Sequence, residues 1–439
     1  MYKGGKMKKF LVMLLVLSLV MASFAGCAKK EEPVKAEEPA KVEEPAKAEE
    51  PAKVEEPKTL KITSGLWSRP EEQQFIREEI LPGFENEFNV KVELEVIDNI
   101  EKVMEAQKAS DKWTTDVVMT HSGKMPLYIE NEYVQPLNDI KDSLDVSFMD
   151  AFESATTEGN NTYYLPISAD VYLLIANKKA LPYLPDGADV TKLTWDQYKD
   201  WAINMAKDVG PKVSFPLMPV KATVYQMGGL GLSYGSEFPM INSAGMVDAW
   251  GVVGEMVKNN AILETSFNYS DPIEQMKSSE AWLSFYHMVP VGDIYSSAPA
   301  KYVVAAAPAG PNGNGSIAGA WGVGITAGTK NKEAADEFIK YLARPEVLYQ
   351  VAAGTGGFIP PVEEVIAQLG EEPKDIIMKK GLDTLQNGVV SGVPGSDYTD
   401  WGAVKSVYDT VFKTMWDNNG SLDQSFLDEQ QKALEALEK

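Results

Sequence analysis

The sequence predicts an α/β protein with two lobes, preceded by an N-terminal segment of different composition. The chain has 439 residues, more than one compact core usually supports, so two lobes are expected. From Leu60 onward, strand-like and helix-like patterns alternate, as is typical of α/β proteins. Hydrophobic residues make up 44% of the chain, which is enough to build substantial cores.

Residues 1–26 have the pattern of a bacterial signal peptide. Lysines precede an apolar run from Phe10 to Val20 that only Ser18 interrupts. This run is too short to span a bilayer and suits the apolar region of a signal peptide. Translation could begin at Met1 or at Met7, since either leaves a positively charged start.

Residues 24–27 read Phe-Ala-Gly-Cys, which resembles the lipobox of bacterial lipoproteins. The resemblance implies that Cys27 carries the lipid, although Phe24 departs from the usual leucine. The alternative is an ordinary secretory signal with an incidental cysteine. Cys27 is the only cysteine, which excludes an intramolecular disulfide.

Residues 27–58 are interpreted as a tether. The run 31–57 repeats a six-residue Glu-Glu-Pro unit with ten glutamates and four lysines. Recurrent proline prevents a long helix, and charged, proline-rich chains stay extended. At about 3.1 Å per residue in polyproline II, the run reaches about 80 Å. The alternative is a low-complexity insertion without a function.

The patterns along the globular part define its first elements. Residues 60–63 and 172–176 are predicted strands, and residues 90–96 alternate apolar and polar side chains as a half-buried strand does. Residues 117–119 form another apolar run typical of a buried strand. Three helix starts have the spacing of capping boxes: Ser68 with Glu71, Thr194 with Gln197, and Ser421 with Gln424.

The charge and histidine content exclude several classes of function. The formal net charge is −23 and the pI is about 4.6, opposite to the basic patches of nucleic-acid-binding proteins. With two histidines, His121 and His287, and no Cys/His cluster, no metal site is predicted. No cofactor is expected either.

Five segments in order resemble the extracellular solute-binding proteins of the maltose-binding-protein-like class, and the resemblance covers about residues 59–439. It implies a two-lobed periplasmic-binding-protein fold with a hinge and an interlobe cleft, and an ABC importer's binding protein rather than an enzyme. The predicted lobes are 59–168 plus 310–356 and 169–309 plus 357–439. The segments are LKITSGLW (60–67), TDVVMTHSGKMPLYIENEYVQPLND (115–139), YYLPISADVYLLIANKKAL (163–181), LTWDQYKDWA (193–202) and AWGVGITAGTKNKEAADEFIKYLARPE (320–346).

The resemblance also implies ligand-binding residues. Aromatic rings offer flat apolar faces to a sugar, and carboxylates accept bonds from its hydroxyl groups. Where family members carry a glycine-to-tryptophan stretch, this chain has Tyr286 and His287, which we expect to replace it. The other expected ligand-binding residues are Trp67, Thr120, His121, Ser122, Asp170, Trp321 and Trp401.

The expected protein is an extracytoplasmic, lipid-anchored monomer that delivers a small solute, most simply a mono- or oligosaccharide, to an ABC permease. A polyol or another small solute is an alternative ligand, and a ligand-free structural lipoprotein is an alternative class. A serine hydrolase is a further alternative, because residues 231–235 match the Gly-x-Ser-x-Gly elbow around Ser233. That motif needs a preceding strand, whereas the residues before Ser233 are rich in glycine.

Overall fold

The computed structural model describes residues 58–150, 152, 156–217 and 221–439. The predicted signal peptide, Cys27 and nearly all of the tether lie outside these residues. Within the described part of the chain, no helix is long and apolar enough to cross a membrane.

Thirteen strands occur among the described residues. They are β1 (Lys58–Ser64), β2 (Val90–Val96), β3 (Val117–His121), β4 (Thr157–Glu158), β5 (Asn161–Thr162), β6 (Leu165–Asp170), β7 (Tyr172–Asn177), β8 (Leu283–His287), β9 (Tyr302–Ala305), β10 (Ala309–Gly310), β11 (Gly313–Ile317), β12 (Gly319–Ile325) and β13 (Val389–Ser391).

The α-helices of the same residues pack around these strands. They are α1 (Pro70–Phe75), α2 (Leu81–Phe88), α3 (Ile100–Ser110), α4 (Met125–Glu130), α5 (Asn138–Asp142), α6 (Trp195–Val209), α7 (Thr223–Ser233), α8 (Ala244–Lys258), α9 (Ile273–Ser278), α10 (Met288–Ser297), α11 (Lys332–Leu342), α12 (Pro345–Gly354), α13 (Glu363–Ile366), α14 (Pro373–Asn387), α15 (Trp401–Asp417) and α16 (Gln424–Glu435). One turn of π-helix, Ile76–Ile80, joins α1 to α2.

The larger sheet has five strands in the order β2-β1-β3-β12-β6. Strand β1 runs parallel to β2 and β3, and β12 runs antiparallel to β3 and β6. Buried Leu60 and Ile62 of β1 pack in a core with Ile76, Ile80 and Phe84 of the following helices. The predicted opening strand-helix-strand unit is therefore confirmed.

The second sheet is antiparallel, in the order β8-β7-β9. Its central strand is buried on both faces, which explains the continuous apolar run at 172–176. Leu173 and Ile175 face the first core, whereas Tyr172 and Leu174 face a second core. Helices α6, α7, α8 and α15 build that second core, while α10 and α14 cover the opposite face.

The chain passes between the sheets through single residues. Strand β6 of the larger sheet ends at Asp170 and β7 begins at Tyr172, so Val171 alone connects them. Strand β11 belongs to a further small sheet of order β10-β11-β13, and Ala318 alone connects it to β12 of the larger sheet. The two crossings lie side by side, because Asp170 pairs with Gly319 and the Tyr172 N–H donates to Ser316 Oγ over 2.9 Å.

The predicted capping boxes were correct for one helix and wrong for two. The Thr194 hydroxyl accepts from the Gln197 N–H, and the Gln197 side chain accepts from the Thr194 N–H. Helix α1 begins one residue later than Ser68 predicts, because Pro70 suits the first helical position. Helix α16 begins at Gln424 with Asp423 before it, so Ser421 lies outside.

Candidate functional site

Two adjoining cavities lie where strand ends of the two sheets meet. Strands β1, β3, β6 and β8 all deliver their carboxyl-terminal residues or the loops that follow to this region, as in open α/β folds. The first cavity, beside Trp401, has a volume of about 300 Å³. The second cavity, beside Trp67, has a volume of about 420 Å³. Both are lined by Asp170, Tyr172, Tyr225, His287 and Trp321.

Asp170 stands at the centre of this site. Trp321 Nε1 donates to its Oδ2 over 3.2 Å, and His287 Nε2 lies 3.4 Å from its Oδ1. Burial alone raises the pKa of this carboxyl, but the neighbouring His287, His121 and Trp321 outweigh burial and hold the pKa below its ordinary value. Asp170 is therefore an ionised acceptor with only 8% of its surface exposed.

The two histidines occupy equivalent positions, each at the end of a strand and the start of a helix. His121 Nδ1 accepts from the Gly123 N–H over 3.1 Å, and His287 Nδ1 accepts from the Val289 N–H over 3.3 Å. An accepting Nδ1 leaves the proton of a neutral imidazole on Nε2. His287 therefore donates towards Asp170.

His121 sits tightly between its neighbours. Its ring meets the Trp321 ring edge-on at 5.1 Å. Burial lowers the pKa of His121, and this outweighs the opposing effect of Asp170. A Cβ atom added at Gly319 would lie only 2.0 Å from His121 Nε2, so glycine is needed at that position.

Aromatic side chains of the second core face the cavities. Trp401 is the first residue of α15, whose start is capped by the Asp400 carboxylate. Trp401 Nε1 donates to the Tyr225 hydroxyl over 3.0 Å. The Tyr225 ring also lies 6.2 Å from Tyr172 and 5.1 Å from Lys405 Nζ. Trp401 lines the first cavity and Lys405 lines the second.

Trp67 combines strain with an unused donor. Its φ is 62°, a left-handed backbone that is rare for a bulky residue. Only 1% of its surface is exposed, and its Nε1 has no hydrogen-bond partner among the described residues. Trp67 nevertheless lines the second cavity.

Seven of the nine sequence-predicted site residues line the cavities. Trp67 and Tyr286 line the second, His121 and Trp401 the first, and three line both. Thr120 and Ser122 line neither. Thr120 is buried and bonded to Tyr128, and the Ser122 hydroxyl accepts from the Ala320 N–H over 3.2 Å.

Sequence reasoning missed Tyr172, Tyr225 and Lys405. Tyr172 belongs to a strand recognised only as buried, although its position two residues after Asp170 points to the site. Tyr225 and Lys405 lie on helices, where no local pattern distinguishes a cleft residue from an ordinary surface residue.

An ionic bridge joins the two sheet layers beyond the second cavity. Arg69, which follows β1, contacts Asp293 of α10 with 2.7 Å between Nη2 and Oδ2. Lys374 of α14 contacts the other oxygen of Asp293 over 3.0 Å. Burial raises the pKa of Asp293, but Lys374 and Arg69 reverse this and hold it below its ordinary value.

Ser233 has a structural role. It is fully buried at the end of α7, and no strand precedes it. Its Oγ accepts from Trp195 Nε1 and the Gly315 N–H, and donates to the Gly229 carbonyl. Both histidines are engaged at the cavities instead. Within the described ranges, no group of three or more His, Cys, Asp or Glu residues could hold a metal ion.

Known proteins share this architecture. The GacH receptor of Streptomyces glaucescens, solved without ligand and with acarbose, has a TM-score of 0.69 at 18% identity, covering 87% of this chain and 100% of that chain. Maltose-bound MalE3 of T. maritima has a TM-score of 0.68 at 18% identity, covering 86% and 99%. A Thermotoga lettingae ABC solute-binding protein with bound α-D-tagatose has a TM-score of 0.67 at 17% identity, covering 86% and 100%.

These similarities show the predicted two-lobed fold. No curated protein sequence matches the chain. The model of the bacterial extracellular solute-binding protein family matches residues 80–382, more than half of the chain. This protein therefore belongs to the bacterial extracellular solute-binding proteins.

Proposed function

We propose that this protein is the substrate-binding component of an ABC importer and that its ligand is a small sugar. The observation that carries the proposal is a buried, ionised Asp170 bonded to the indole N–H of Trp321, in a cavity that Trp401 and Tyr225 also line. Sugars present apolar C–H faces and a rim of hydroxyl groups. Aromatic faces match the former, and a carboxylate accepts charge-assisted bonds from the latter.

Each residue has a distinct role in this proposal. Trp321 and Trp401 provide apolar faces for a sugar ring. Asp170 accepts from hydroxyl groups, and His287 fixes its orientation. His121 presents a protonated Nε2 as a donor. The Tyr286 hydroxyl already donates to the Ser270 carbonyl, so Tyr286 contributes its ring.

The proposed transport cycle uses closure of the two lobes around the ligand. The lobes consist of residues 59–168 plus 310–356 and 169–309 plus 357–439, and these boundaries stay a prediction. A ligand shifts the protein from open to closed only if it binds the closed form more tightly. Asp170 supports this step, since it receives one ring N–H from each sheet. The closed, loaded form then delivers the solute to the permease.

The proposed location is outside the cytoplasm, at a bacterial membrane. Residues 1–26 are removed as a signal peptide, lipid on Cys27 anchors the chain, and the repeats of residues 27–58 hold the monomeric receptor away from the surface. A Cys27→Ser variant should be released into the soluble fraction. Recovery of the parent protein in that soluble fraction would contradict the lipid anchor.

A thermal-shift screen tests the proposed ligand. The chain from Ala28 onward, which lacks Cys27 and its lipid, is heated with monosaccharides, oligosaccharides, polyols and amino acids. A ligand that binds only the folded state stabilises it by RT ln(1 + [L]/Kd). A shift with sugars, reduced in Trp401→Ala, supports the proposal. Trp282→Ala is the matched control, because Trp282 is half-buried and lines neither cavity.

Other results of the screen have defined meanings. A shift with polyols alone would keep the receptor function but make a polyol, and not a sugar, the ligand. A shift with no compound would favour a structural lipoprotein. Turnover of p-nitrophenyl esters that disappears in Ser233→Ala would revive the hydrolase hypothesis.

A further inference from the structure

The two cavities have separate aromatic walls around a shared centre. Trp401 and His121 line only the first cavity, whereas Trp67, Tyr286 and Phe358 line only the second. A monosaccharide needs only one set of such aromatic residues, so two sets indicate a solute longer than one sugar unit.

Asp170 has acceptor capacity for both cavities. A carboxylate offers about four lone-pair positions on its two oxygens. Among the described residues, Trp321 uses one position on Oδ2 and His287 one on Oδ1. Each oxygen therefore keeps a free position, and Asp170 lines both cavities.

The volumes point the same way. Small-molecule sites range from about 300 to about 1,000 Å³. The first cavity, at about 300 Å³, lies at the lower limit. The second, which shares Asp170 with the first, adds about 420 Å³. Joined, the two lie well inside the range of sites for larger ligands.

The second cavity also provides a cationic donor. Lys405 Nζ lies over the Tyr225 ring and, among the described residues, has no carboxylate within 4.0 Å. The ammonium group can therefore donate to a solute hydroxyl. The first cavity has Lys124 instead, but Lys124 Nζ is paired with Glu101 over 2.6 Å.

We infer that the solute is an oligosaccharide of at least two units, with one unit in each cavity. This inference rests on the proposed sugar-binding function. The first unit contacts Trp401 and Trp321, and the adjoining unit contacts Tyr286, Phe358 and Lys405. Asp170 accepts hydroxyl groups from both units.

Titration calorimetry with sugars of increasing length tests the inference. The probes are glucose, galactose, mannose and xylose, each with its α- and β-linked di-, tri- and tetrasaccharides. In the series that binds, Kd should fall at least ten-fold from the monosaccharide to the disaccharide. A monosaccharide that binds as tightly as every longer member would overturn the inference and leave the sugar-binding function intact.

Variants locate the second unit. Lys405→Met and Phe358→Ala should each reduce the ratio of monosaccharide Kd to disaccharide Kd by at least five-fold. Trp282→Ala should leave that ratio unchanged. An unchanged ratio in both cavity variants, with intact melting temperatures, contradicts the assignment. If no sugar binds the parent protein, the proposed function fails with the inference, and a polyol that binds identifies that case.

Discussion

His287 Nε2 lies 3.4 Å from Asp170 Oδ1, and this contact joins the two sheets at the point where the chain crosses between them. Asp170 ends a strand of the five-stranded sheet, whereas His287 ends a strand of the sheet β8-β7-β9. Trp321 holds the other oxygen from the side of the five-stranded sheet. The carboxylate at the proposed ligand site therefore contacts one side chain from each of these two sheets.

Replacing Asp170 by asparagine should weaken ligand binding without unfolding the protein. Hydrogen bonds to charged groups contribute about 1.5–3 kcal/mol, so Kd should rise about 10- to 100-fold by calorimetry. Because the Asp170 pKa lies below its ordinary value of about 3.9, the loss should be equal at pH 6 and pH 8. Asp196→Asn, on an exposed part of α6, should leave Kd unchanged.

Stability should fall with acidification because of His121. Its pKa is lowered by burial, so folding favours the neutral ring. The resulting contribution is complete above the unfolded pKa of about 6.5 and is lost as pH falls towards the folded pKa. One such group changes the free energy of unfolding by at most about 1.4 kcal/mol per pH unit.

Urea unfolding between pH 5 and pH 8 measures this contribution. The slope below pH 6.5 should be smaller in His121→Asn, whose amide oxygen can accept from the Gly123 N–H. The same slope in parent and variant would mean that His121 does not titrate differently on folding.

The Arg69–Asp293 bridge should favour the closed form of the unliganded protein. Both side chains are partly exposed, at 32% and 24%, so the pair contributes about 1 kcal/mol, or about five-fold in the closed-to-open ratio. Arg69→Gln and Asp293→Asn should therefore increase the radius of gyration in solution scattering.

Lys374→Gln is the control for this experiment. Lys374 contacts the same carboxylate from a helix that covers the three-stranded sheet, so its loss leaves the bridge between layers in place. The double variant Arg69→Gln/Asp293→Asn should open no further than either single variant. Additive opening would show that the two residues act separately.

Gly319→Ala should damage the site, because its Cβ would meet His121 Nε2 at 2.0 Å. We expect a loss of about 1–3 kcal/mol in the free energy of unfolding, as for other overpacked positions, together with weaker ligand binding. Gly251→Ala is the matched change at an open position inside α8. It should stabilise the protein by up to about 1 kcal/mol, and equal effects at both positions would contradict the packing argument.

The sequence was most informative where a local pattern has one structural meaning. The alternation in residues 90–96 and the apolar run at 172–176 became strands. Thr194 capped its helix because Gln197, three residues later, completes the capping box. The capping box predicted at Ser68 was wrong because the helix begins at Pro70 instead. The spacing of Ser68 and Glu71 does not show which of two possible start residues is used. Local patterns decide elements more reliably than their ends.

The candidate site likewise contains residues that the sequence identified and residues that it missed. Asp170, His287 and Trp321 could be placed because the family resemblance aligned their segments with ligand-contacting positions. Tyr225 could not, since its position depends on how α7 packs against Trp401, far along the chain. The bridge between Arg69 and Asp293 joins residues 224 positions apart, and nothing local to either residue identifies its partner.

The paired crossings at Val171 and Ala318 have a mechanical consequence. A third segment lies beside them, because Ala169 and Ile359 exchange both backbone hydrogen bonds. Three adjacent connectors joined in this way should resist twisting and sliding of one lobe against the other. Bending of one lobe towards the other is then the motion that costs the least energy. We therefore expect Asp170, which lies at these connectors, to move little during closure and the outer ends of the two predicted lobes to move most. A permease that contacts those outer ends would therefore meet a larger displacement than the one that occurs at the connectors.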